Sequence, residues 1–325
     1  MNRSLGHKSM VALIACLAAT SSIAMAADYP TKPITIVVPY SAGGASDAQI
    51  RLIAQPLSKI LGQPIVVENR AGASGAIAAA HVARSAPDGY TLLYPNNGLL
   101  IAPLQNKSAT FDPLKDFTPI TTVTTMPMTL VVNKDLPVEN ISDLISYAKE
   151  RPNKINYASA GPGSYGSLAT RMLSQAAGLK MFEVSYKGEA NTTMSVRANE
   201  TQVLFTAPSA TMFGQIDAGN LKLLGVASAK HSEIAPDAQP IAEVLPGFSA
   251  EIWFGLLAPA NTPAPIVDEI NQAVRQTLKD PDIRKALLAN AAIAQPSTPQ
   301  EFKKLLYTEH AQFAKIISER DLVTN

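Results

Sequence analysis

The chain has 325 residues, of which 46% are hydrophobic and 16% are charged, and its 27 basic and 26 acidic side chains nearly balance. This is the composition of a globular protein with one large domain or two of ordinary size. Because there is no excess of positive charge, the composition argues against nucleic acid or an anionic membrane surface as a partner.

The amino terminus has the features of a signal peptide. Arg3 and Lys8 precede an apolar run over residues 11–19, which is too short to span a bilayer. The small-residue sequence Ala24-Met25-Ala26 follows and is typical of a cleavage site. We therefore predict that residues 1–26 are a signal peptide and that the mature chain is exported.

Cys16 offers an alternative, because Leu13 to Cys16 also resembles a lipoprotein cleavage box that would leave a lipid on this cysteine. We favour the downstream site, since few apolar residues precede Cys16. Cys16 is the only cysteine, so a mature chain without it has no disulfide, thiolate nucleophile or cysteine metal site. Cleavage after residue 26 removes two basic residues and no acidic one, which leaves 25 basic and 26 acidic side chains and a net charge of −1.

The first unit of the mature chain is a strand, a glycine turn and a helix. Residues 34–38 form an unbroken β-branched run, which predicts a strand buried on both faces, as in a parallel sheet. Gly43-Gly44 permits a sharp turn, and Ser46 with Gln49 fits a capping box at the start of the helix. Free N–H groups at such a helix start suit an anion such as a carboxylate. An ordinary strand-to-helix turn with nothing bound is the alternative.

Strands and helices alternate along most of the chain, which favours a parallel α/β fold. Residues 95–127 contain five prolines and are predicted to be irregular, and from Gly255 onward the pattern is mostly helical, with a capping box at Thr298–Glu301. Further strands are predicted at residues 65–68, 90–94, 129–132, 155–158, 182–186, 203–205 and 221–227.

A second glycine turn follows the strand at residues 155–158. It contains Gly161-x-Gly163-x-x-Gly166, and Glu183 lies about twenty residues further on, as in a dinucleotide-binding unit. A nucleotide-dependent oxidoreductase is therefore an alternative function, although Pro162 inside the motif and export from the cytoplasm argue against it. The same geometry serves a carboxylate equally well.

Neither a serine-hydrolase motif nor metal-ligand spacing is present in the sequence, so we predict no catalytic residue, no metal site and no cofactor. Two other positions at predicted strand ends are candidates for ligand contacts. Lys187 either faces a bound anion or is an ordinary solvated lysine, and Asn96 either bonds a ligand or forms its turn.

Together these motifs resemble the periplasmic solute-binding proteins of tripartite tricarboxylate transporters, the Bug or TctC-like receptors. The resemblance covers essentially the whole mature chain. Its markers are Tyr29-Pro30-x-Lys32-Pro33-Ile34, Val37-Val38-Pro39-Tyr40, Gly43-Gly44, Leu61-Gly62-Gln63-Pro64, Val67-Glu68-Asn69-Arg70-Ala71-Gly72, Pro87-Asp88-Gly89-Tyr90-Thr91-Leu92, Asp112-Pro113, Asp116-Phe117-Thr118-Pro119, Asn156-Tyr157-Ala158-Ser159, Tyr186-Lys187-Gly188 and Trp253-Phe254-Gly255-Leu256-Leu257-Ala258-Pro259.

The resemblance implies a two-domain α/β fold of the periplasmic-binding-protein type II class, the Venus flytrap. Domain 1 would comprise residues 27–125 and 254–325, and domain 2 residues 126–253. The protein would be a periplasmic receptor, not an enzyme, and would deliver a small carboxylate to the membrane permease subunits of the transporter. The ligand classes implied are di- and tricarboxylates, acidic amino acids and aromatic acids. We expect a monomer, and a ligand sensor for a signalling partner remains an alternative.

The resemblance also implies a ligand site between two loops. The residues it indicates are Tyr40, Ser41, Ala42, Gly43, Gly44 and Asp47 in the first loop, Ala160, Gly161, Gly163 and Ser164 in the second, and Asn96, Tyr186, Lys187 and Thr206. The chain departs from the family pattern at Gly166-Ser167, where a histidine is usual, at residues 197–204, and at Thr206, where an acidic or polar residue is common. These departures leave the ligand open.

Overall fold

The fold consists of two β-sheets with helices packed against them. The computed structural model describes residues 29–106, 109–161, 164–187 and 189–321, without the side chains of Glu189 and residues 319–321. The predicted signal peptide lies outside the described residues. Among the helices of the described part, none combines the length and apolar character needed to cross a membrane.

The strands and helices follow each other with short connections along the described chain. In order they are β1 (Ile34–Val38), α1 (Ala45–Leu61), β2 (Ile65–Asn69), α2 (Ala76–Ala83), β3 (Thr91–Leu93), α3 (Gly98–Gln105), β4 (Phe117–Pro127), β5 (Thr129–Asn133), α4 (Ile141–Glu150), β6 (Asn156–Ser159), α5 (Tyr165–Ala177), β7 (Phe182–Ser185), α6 (Glu189–Arg197), β8 (Val203–Thr206), α7 (Ala210–Asp217), β9 (Leu221–Val226), β10 (Glu251–Pro259), α8 (Ala264–Thr277), α9 (Pro281–Leu288), β11 (Ile293–Ala294) and α10 (Pro299–Asp321).

The first sheet has the strand order β11-β4-β10-β3-β1-β2. Strand β1 pairs in parallel with both β2 and β3, which confirms the predicted parallel arrangement at this end. Its side chains alternate between two cores: Val37 belongs to one, whereas Ile36 and Val38 belong to the other. The unbroken apolar run therefore reflects burial of both faces of the sheet.

Two long strands of the first sheet depart from the sequence prediction. The prediction that residues 95–127 are irregular is wrong for β4, and β10 was not predicted as a strand. These two strands pair antiparallel over their whole length, so the sheet is mixed. Buried hydroxyls explain why β4 does not look like a core strand: Thr124 Oγ1 donates to Gln49 Oε1 at 2.6 Å and Thr121 Oγ1 to a backbone carbonyl at 3.0 Å.

The second sheet has the strand order β7-β6-β8-β5-β9. Strand β6 is parallel to β7 and β8, whereas β5 is antiparallel to β8 and β9. The predicted strands of this region are all present, within two residues of their predicted ends. The fully parallel sheet expected from the alternation is wrong for this sheet also, because β5 enters it directly from β4 without a crossover helix.

The chain passes between the sheets twice, at Met128 and at Ala250. Met128 N donates to the Ala250 carbonyl at 3.0 Å, and Ala227 N donates to the Met128 carbonyl at 2.8 Å. The two crossing segments therefore lie side by side. The domain boundaries predicted at residues 125/126 and 253/254 lie inside β4 and β10, near these crossings, and remain a prediction.

Candidate ligand-binding site

Strand directions bring the two glycine loops to the region where the chain crosses between the sheets. In the first sheet, β1 and β3 run in the same direction as β4, whose carboxyl end leads to the crossing at Met128. In the second sheet, β8 is antiparallel to β5, and Thr206 at its carboxyl end pairs with Thr129 beside the same crossing. Because β6 and β7 are parallel to β8, the loops after all three strands share this edge. The predicted site residues therefore lie on the two sheet edges that adjoin the crossing.

The first loop presents exposed backbone at the start of α1. Gly43 has φ +81°, which favours glycine, and Gly44 is the N-cap residue and supplies no side-chain acceptor. The predicted capping box is wrong: the helix begins one residue before Ser46, and Ser46 and Gln49 are both buried. The first-turn N–H groups of α1 consequently have no side-chain cap, which leaves them available to an anion.

Asp47 stabilises the first loop through hydrogen bonds of its carboxylate. Its Oδ2 accepts from Gly43 N at 2.9 Å, and its Oδ1 accepts from Arg51 Nε at 2.8 Å. Asn69 completes the network by donating to the Tyr40 carbonyl at 3.1 Å. Burial alone would raise the pKa of Asp47, but the Gly43 amide, Asn69 and Arg51 outweigh it and lower this pKa below its usual value. Both oxygens of the Asp47 carboxylate thus already have donors within the protein. That Asp47 contacts a ligand remains a prediction.

Tyr40 and Asn96 meet although 56 residues separate them. The Tyr40 hydroxyl donates to Asn96 Oδ1, which also accepts from Gly98 N at 2.8 Å. Burial raises the pKa of Tyr40, so its hydroxyl keeps its proton at neutral pH. The predicted residues of β1 and β3 are therefore joined in one hydrogen-bonded pair at the edge of the first sheet.

The second loop is closed by its own hydrogen bonds. Ser164 is the N-cap of α5: its Oγ accepts from Ser167 N at 3.2 Å and donates to the Gly161 carbonyl at 2.7 Å. Gly161, with φ +111°, donates its N–H to Ser159 Oγ at 3.1 Å. Ala160 is exposed, and Gly163 lies outside the described residues.

Glu183 supports this loop and was not predicted to do so. Its Oε1 accepts from Ser159 Oγ at 2.7 Å and Ser167 Oγ at 2.8 Å, and its Oε2 accepts from Tyr157 OH at 3.2 Å. In the dinucleotide alternative this carboxylate would bind a ribose, but here both oxygens are committed to protein hydroxyls. A parallel pairing of β6 with β7 places Tyr157 opposite Glu183, a register that local sequence patterns do not reveal.

The remaining predicted residues lie on the edge of the second sheet. Tyr186 follows β7 and donates from its hydroxyl to Glu200 Oε2 at 3.3 Å. Lys187 is exposed. Thr206 is buried at the end of β8, where its carbonyl accepts from Thr129 Oγ1 at 2.8 Å. The structure thus places these three positions near the second loop without showing which of them contacts a ligand.

Comparison with known proteins decides the family. Residues 49–322 match the model of the tripartite tricarboxylate transporter family receptor, TctC. The chain belongs to this family. A UPF0065 protein of Agrobacterium vitis is 35% identical over 302 residues, covering 91% of this chain and 87% of that one. The structure of the periplasmic binding protein BugD is 32% identical, covers 90% of this chain and 98% of its own, and superposes with a TM-score of 0.67. This TctC receptor is a periplasmic binding protein with their mixed α/β fold, and not an enzyme.

Three further structures of the family are informative. Rpa4515 of Rhodopseudomonas palustris, solved with adipate, is 33% identical over 90% of this chain and 98% of its own, with a TM-score of 0.71. MatC of the same organism, with bound malate, is 30% identical; the match covers 89% of this chain and 100% of MatC, with a TM-score of 0.67. A TctC solute-binding protein from Polaromonas, solved without ligand, is 26% identical; the match covers 90% of this chain and 100% of that one, with a TM-score of 0.81.

Proposed function

We propose that this TctC receptor captures a small carboxylate between its two glycine loops and delivers it to membrane permease subunits of a tripartite tricarboxylate transporter. The observation that carries the proposal is the first loop, where four consecutive exposed residues, 41–44, lead into an uncapped helix N-terminus. Such a terminus stabilises a carboxylate by direct N–H donation and by the helix dipole. The adipate and malate bound by two relatives are ligands of this chemical class.

Backbone groups, and not an arginine clamp, supply the affinity in this proposal. The guanidinium of Arg51, on α1, is already bonded to Asp47 at 2.8 Å and to Asn69 at 3.1 Å. In the second loop, Ser164 caps Ser167 and leaves the N–H groups of Tyr165 and Gly166 at the helix start. A ligand between the loops therefore meets helix N-termini from both sheets, with Lys187 as a flanking charge.

We further propose that the ligand is enclosed by a hinge motion, with residues 27–125 and 254–325 as one domain and residues 126–253 as the other. The ligand-free Polaromonas protein superposes better on this structure than the adipate-bound and malate-bound proteins do, although it is less identical in sequence. The higher TM-score with the ligand-free relative supports an open conformation for this structure. Side-by-side crossings at Met128 and Ala250 provide two short segments able to absorb the rotation.

A charge placed on the first loop tests the site. Ala42 is exposed, so Ala42→Glu is tolerated by the fold, but its carboxylate repels an anionic ligand. Ala42→Gln, which has the same shape without the charge, is the matched control. The mature chain, residues 27–325, is titrated by calorimetry with adipate, malate, glutamate and benzoate. We expect Ala42→Glu to lose at least tenfold in affinity for whichever acid binds, and Ala42→Gln to lose clearly less.

Two results would contradict the proposal. Equal affinity of the wild type and Ala42→Glu for the acid would show that the ligand does not bind at the first loop. Binding of NADH with no binding of any acid would favour the nucleotide alternative.

Reconstitution with the two permease subunits in vesicles then separates transport from sensing, because only a transport receptor stimulates uptake of the bound acid. Sedimentation of the free protein tests the expected monomer.

A further inference from the structure

Helix α10 extends from the first sheet past the crossing towards the second sheet. Near its start, the Phe302 ring lies against Gly255 on β10, where a Cβ would be 2.5 Å from the ring. About two turns later, Glu309 Oε2 accepts from Trp253 Nε1 at 2.7 Å, close to the crossing at Ala250. The turns of α10 that follow Glu309 therefore lie beyond the crossing.

These later turns of α10 contact α5, which lies between β6 and β7 of the second sheet. Phe313 packs edge to face on Tyr165, with ring centroids 5.9 Å apart. Nearly one turn further on, the carbonyl of Ile316 accepts a hydrogen bond from Arg171 Nη2. We call residues 313–318 the strap, because they join a helix of one predicted domain to a helix of the other.

A large cavity separates the same two helices beside the strap. It has a volume of about 1060 Å³. Its walls include Gln175 and Ala176 on α5, residues 245–249, and Thr308 and Gln312 on α10. Helices α5 and α10 are therefore joined at the strap and not along their whole length.

The guanidinium of Arg171 is only partly satisfied in this contact. Nη2 donates to the Ile316 carbonyl, whereas Nη1 is buried and has no hydrogen-bond partner in the part of the chain that the structure describes. A buried donor without an acceptor costs free energy, which offsets part of what the Nη2 bond contributes. The contact between strap and α5 is thus one that a modest competing free energy is able to break.

We propose that the strap holds the receptor open through Arg171 and thereby lowers the affinity of the cleft for its ligand. This inference rests on the hinge motion and the carboxylate site of the proposed function. Tyr165 OH donates to the Glu251 carbonyl, beside the crossing, at 3.0 Å. Arg171 lies about 9 Å further along α5, so a rotation about the crossing displaces Arg171 more than Tyr165. A bond made in the open state alone favours that state, and ligand binding has to overcome it.

The first test measures the conformation without a ligand. Cys16 is the only cysteine, so a chain of residues 27–325 has none and accepts two spin labels at introduced cysteines. Ala71→Cys and Ala190→Cys suit this purpose, because both alanines are exposed. They follow β2 and β7, which are the strands farthest in sheet order from the crossing strands. Double electron–electron resonance then gives the distribution of distances across the cleft.

Substitutions of Arg171 in the labelled protein test the strap. Arg171→Met removes the donors at similar length, whereas Arg171→Lys keeps a donor. We expect Arg171→Met to increase the share of molecules with the short distance at least threefold, and Arg171→Lys to lie between it and the wild type. Arg84→Met removes an exposed arginine at the end of α2, outside the strap, and should leave the distribution unchanged.

Calorimetry measures the consequence for binding. Arg171→Met should raise the affinity for the acid that binds the wild type at least threefold, although losing a positive charge would by itself weaken the binding of an anion. Arg171→Gln repeats both measurements with a smaller polar side chain, should the methionine not be tolerated. An unchanged distance distribution, or an unchanged or lower affinity, in the folded variant would overturn the proposal. If no acid binds the wild type, the carboxylate site fails, and the distances alone decide on the strap.

Discussion

Replacing Glu309 with glutamine should stabilise the protein above neutral pH and have a much smaller effect near pH 5. Glu309 links α10 to β10 and to Asn97, which precedes α3, and glutamine can accept the same two hydrogen bonds through its amide oxygen. Burial outweighs those bonds and raises the pKa of the carboxyl from 4.5 to about 7. The folded protein therefore binds a proton at this site that the unfolded chain has already released.

The sign and size of the effect follow from this difference. A raised folded-state pKa gives stability that is fully present below pH 4.5 and is lost as the pH rises through about 7. A difference of roughly 2.5 pKa units corresponds to about 3.5 kcal/mol at most, since one unit is about 1.4 kcal/mol. Because the Glu309 side chain is only partly buried, solvent reduces this penalty, and we expect about 2 kcal/mol. For a chain of this length that is a shift in Tm of about 4 °C.

The assay is thermal unfolding of wild type and Glu309→Gln at pH 5 and pH 8, with the difference in Tm between the two proteins compared at the two pH values. This comparison cancels the pH dependence of every other group. Glu269→Gln, on an exposed face, is the control and should show the same small difference from wild type at both pH values. A wild type that remains as stable as Glu309→Gln at pH 8, or a difference that grows on acidification, would refute the reasoning.

Three other outcomes are expected. Gly255→Ala should destabilise the protein by about 1–3 kcal/mol, because a Cβ there would lie 2.5 Å from the Phe302 ring and 2.9 Å from a backbone carbonyl; Gly214→Ala, in open space on α7, is the control, and chemical denaturation measures both. Asp47→Asn should weaken carboxylate binding in calorimetry and reduce stability, and the deficit should shrink on acidification, because the lowered pKa of Asp47 gives stability that is lost as the pH falls. Gly43→Val should weaken ligand binding severalfold at nearly unchanged Tm, because valine disfavours φ +81° in this exposed loop; full affinity would remove Gly43 from the site.

The parts of the fold that the sequence predicts well are those whose cause is local. Strand β1 is recognisable because burial of both faces leaves an unbroken β-branched run, and the end of α5 is recognisable because Gly178 adopts the left-handed C-cap conformation. The capping box at Thr298 is confirmed, with Thr298 N donating to Glu301 Oε2 at 2.8 Å. Each of these features is fixed by residues within one turn of each other.

Strand β4 could not be predicted in the same way, because its polarity is satisfied from elsewhere in the chain. The hydroxyls of its buried threonines find acceptors on α1 and on the segment after β11, up to 176 residues away. Ser46 failed as a cap for a related reason: serine suits both an N-cap and a buried position, and Gly44 already provides the extended backbone that the helix start requires. The composition of a short stretch of sequence does not distinguish a buried threonine or serine from one in a loop or at a helix cap.

The polar supports of the site were the least predictable, and the reason is geometric. Glu183 meets its three hydroxyls only because β6 and β7 are paired in one particular register, and a shift of one residue would turn its side chain to the opposite face. Glu309 reaches Asn97 across 212 positions of sequence. Family resemblance indicates the loops that carry the backbone donors, but it does not indicate these carboxylates.

One backbone carbonyl, next to the crossing at Ala250, has hydrogen-bond donors from residues beside the loops of both sheets. The Glu251 carbonyl accepts from Tyr165 OH at 3.0 Å and from Asn97 Nδ2 at 3.2 Å. Tyr165 directly follows the second loop, and Asn97 directly follows Asn96, the partner of Tyr40. Asn97 also donates to Glu309, so its side-chain amide connects this carbonyl on β10 with the carboxyl group on α10. Strand β10 therefore accepts a hydrogen bond from the residue that follows the second loop and also holds the buried carboxyl group of Glu309 through Trp253.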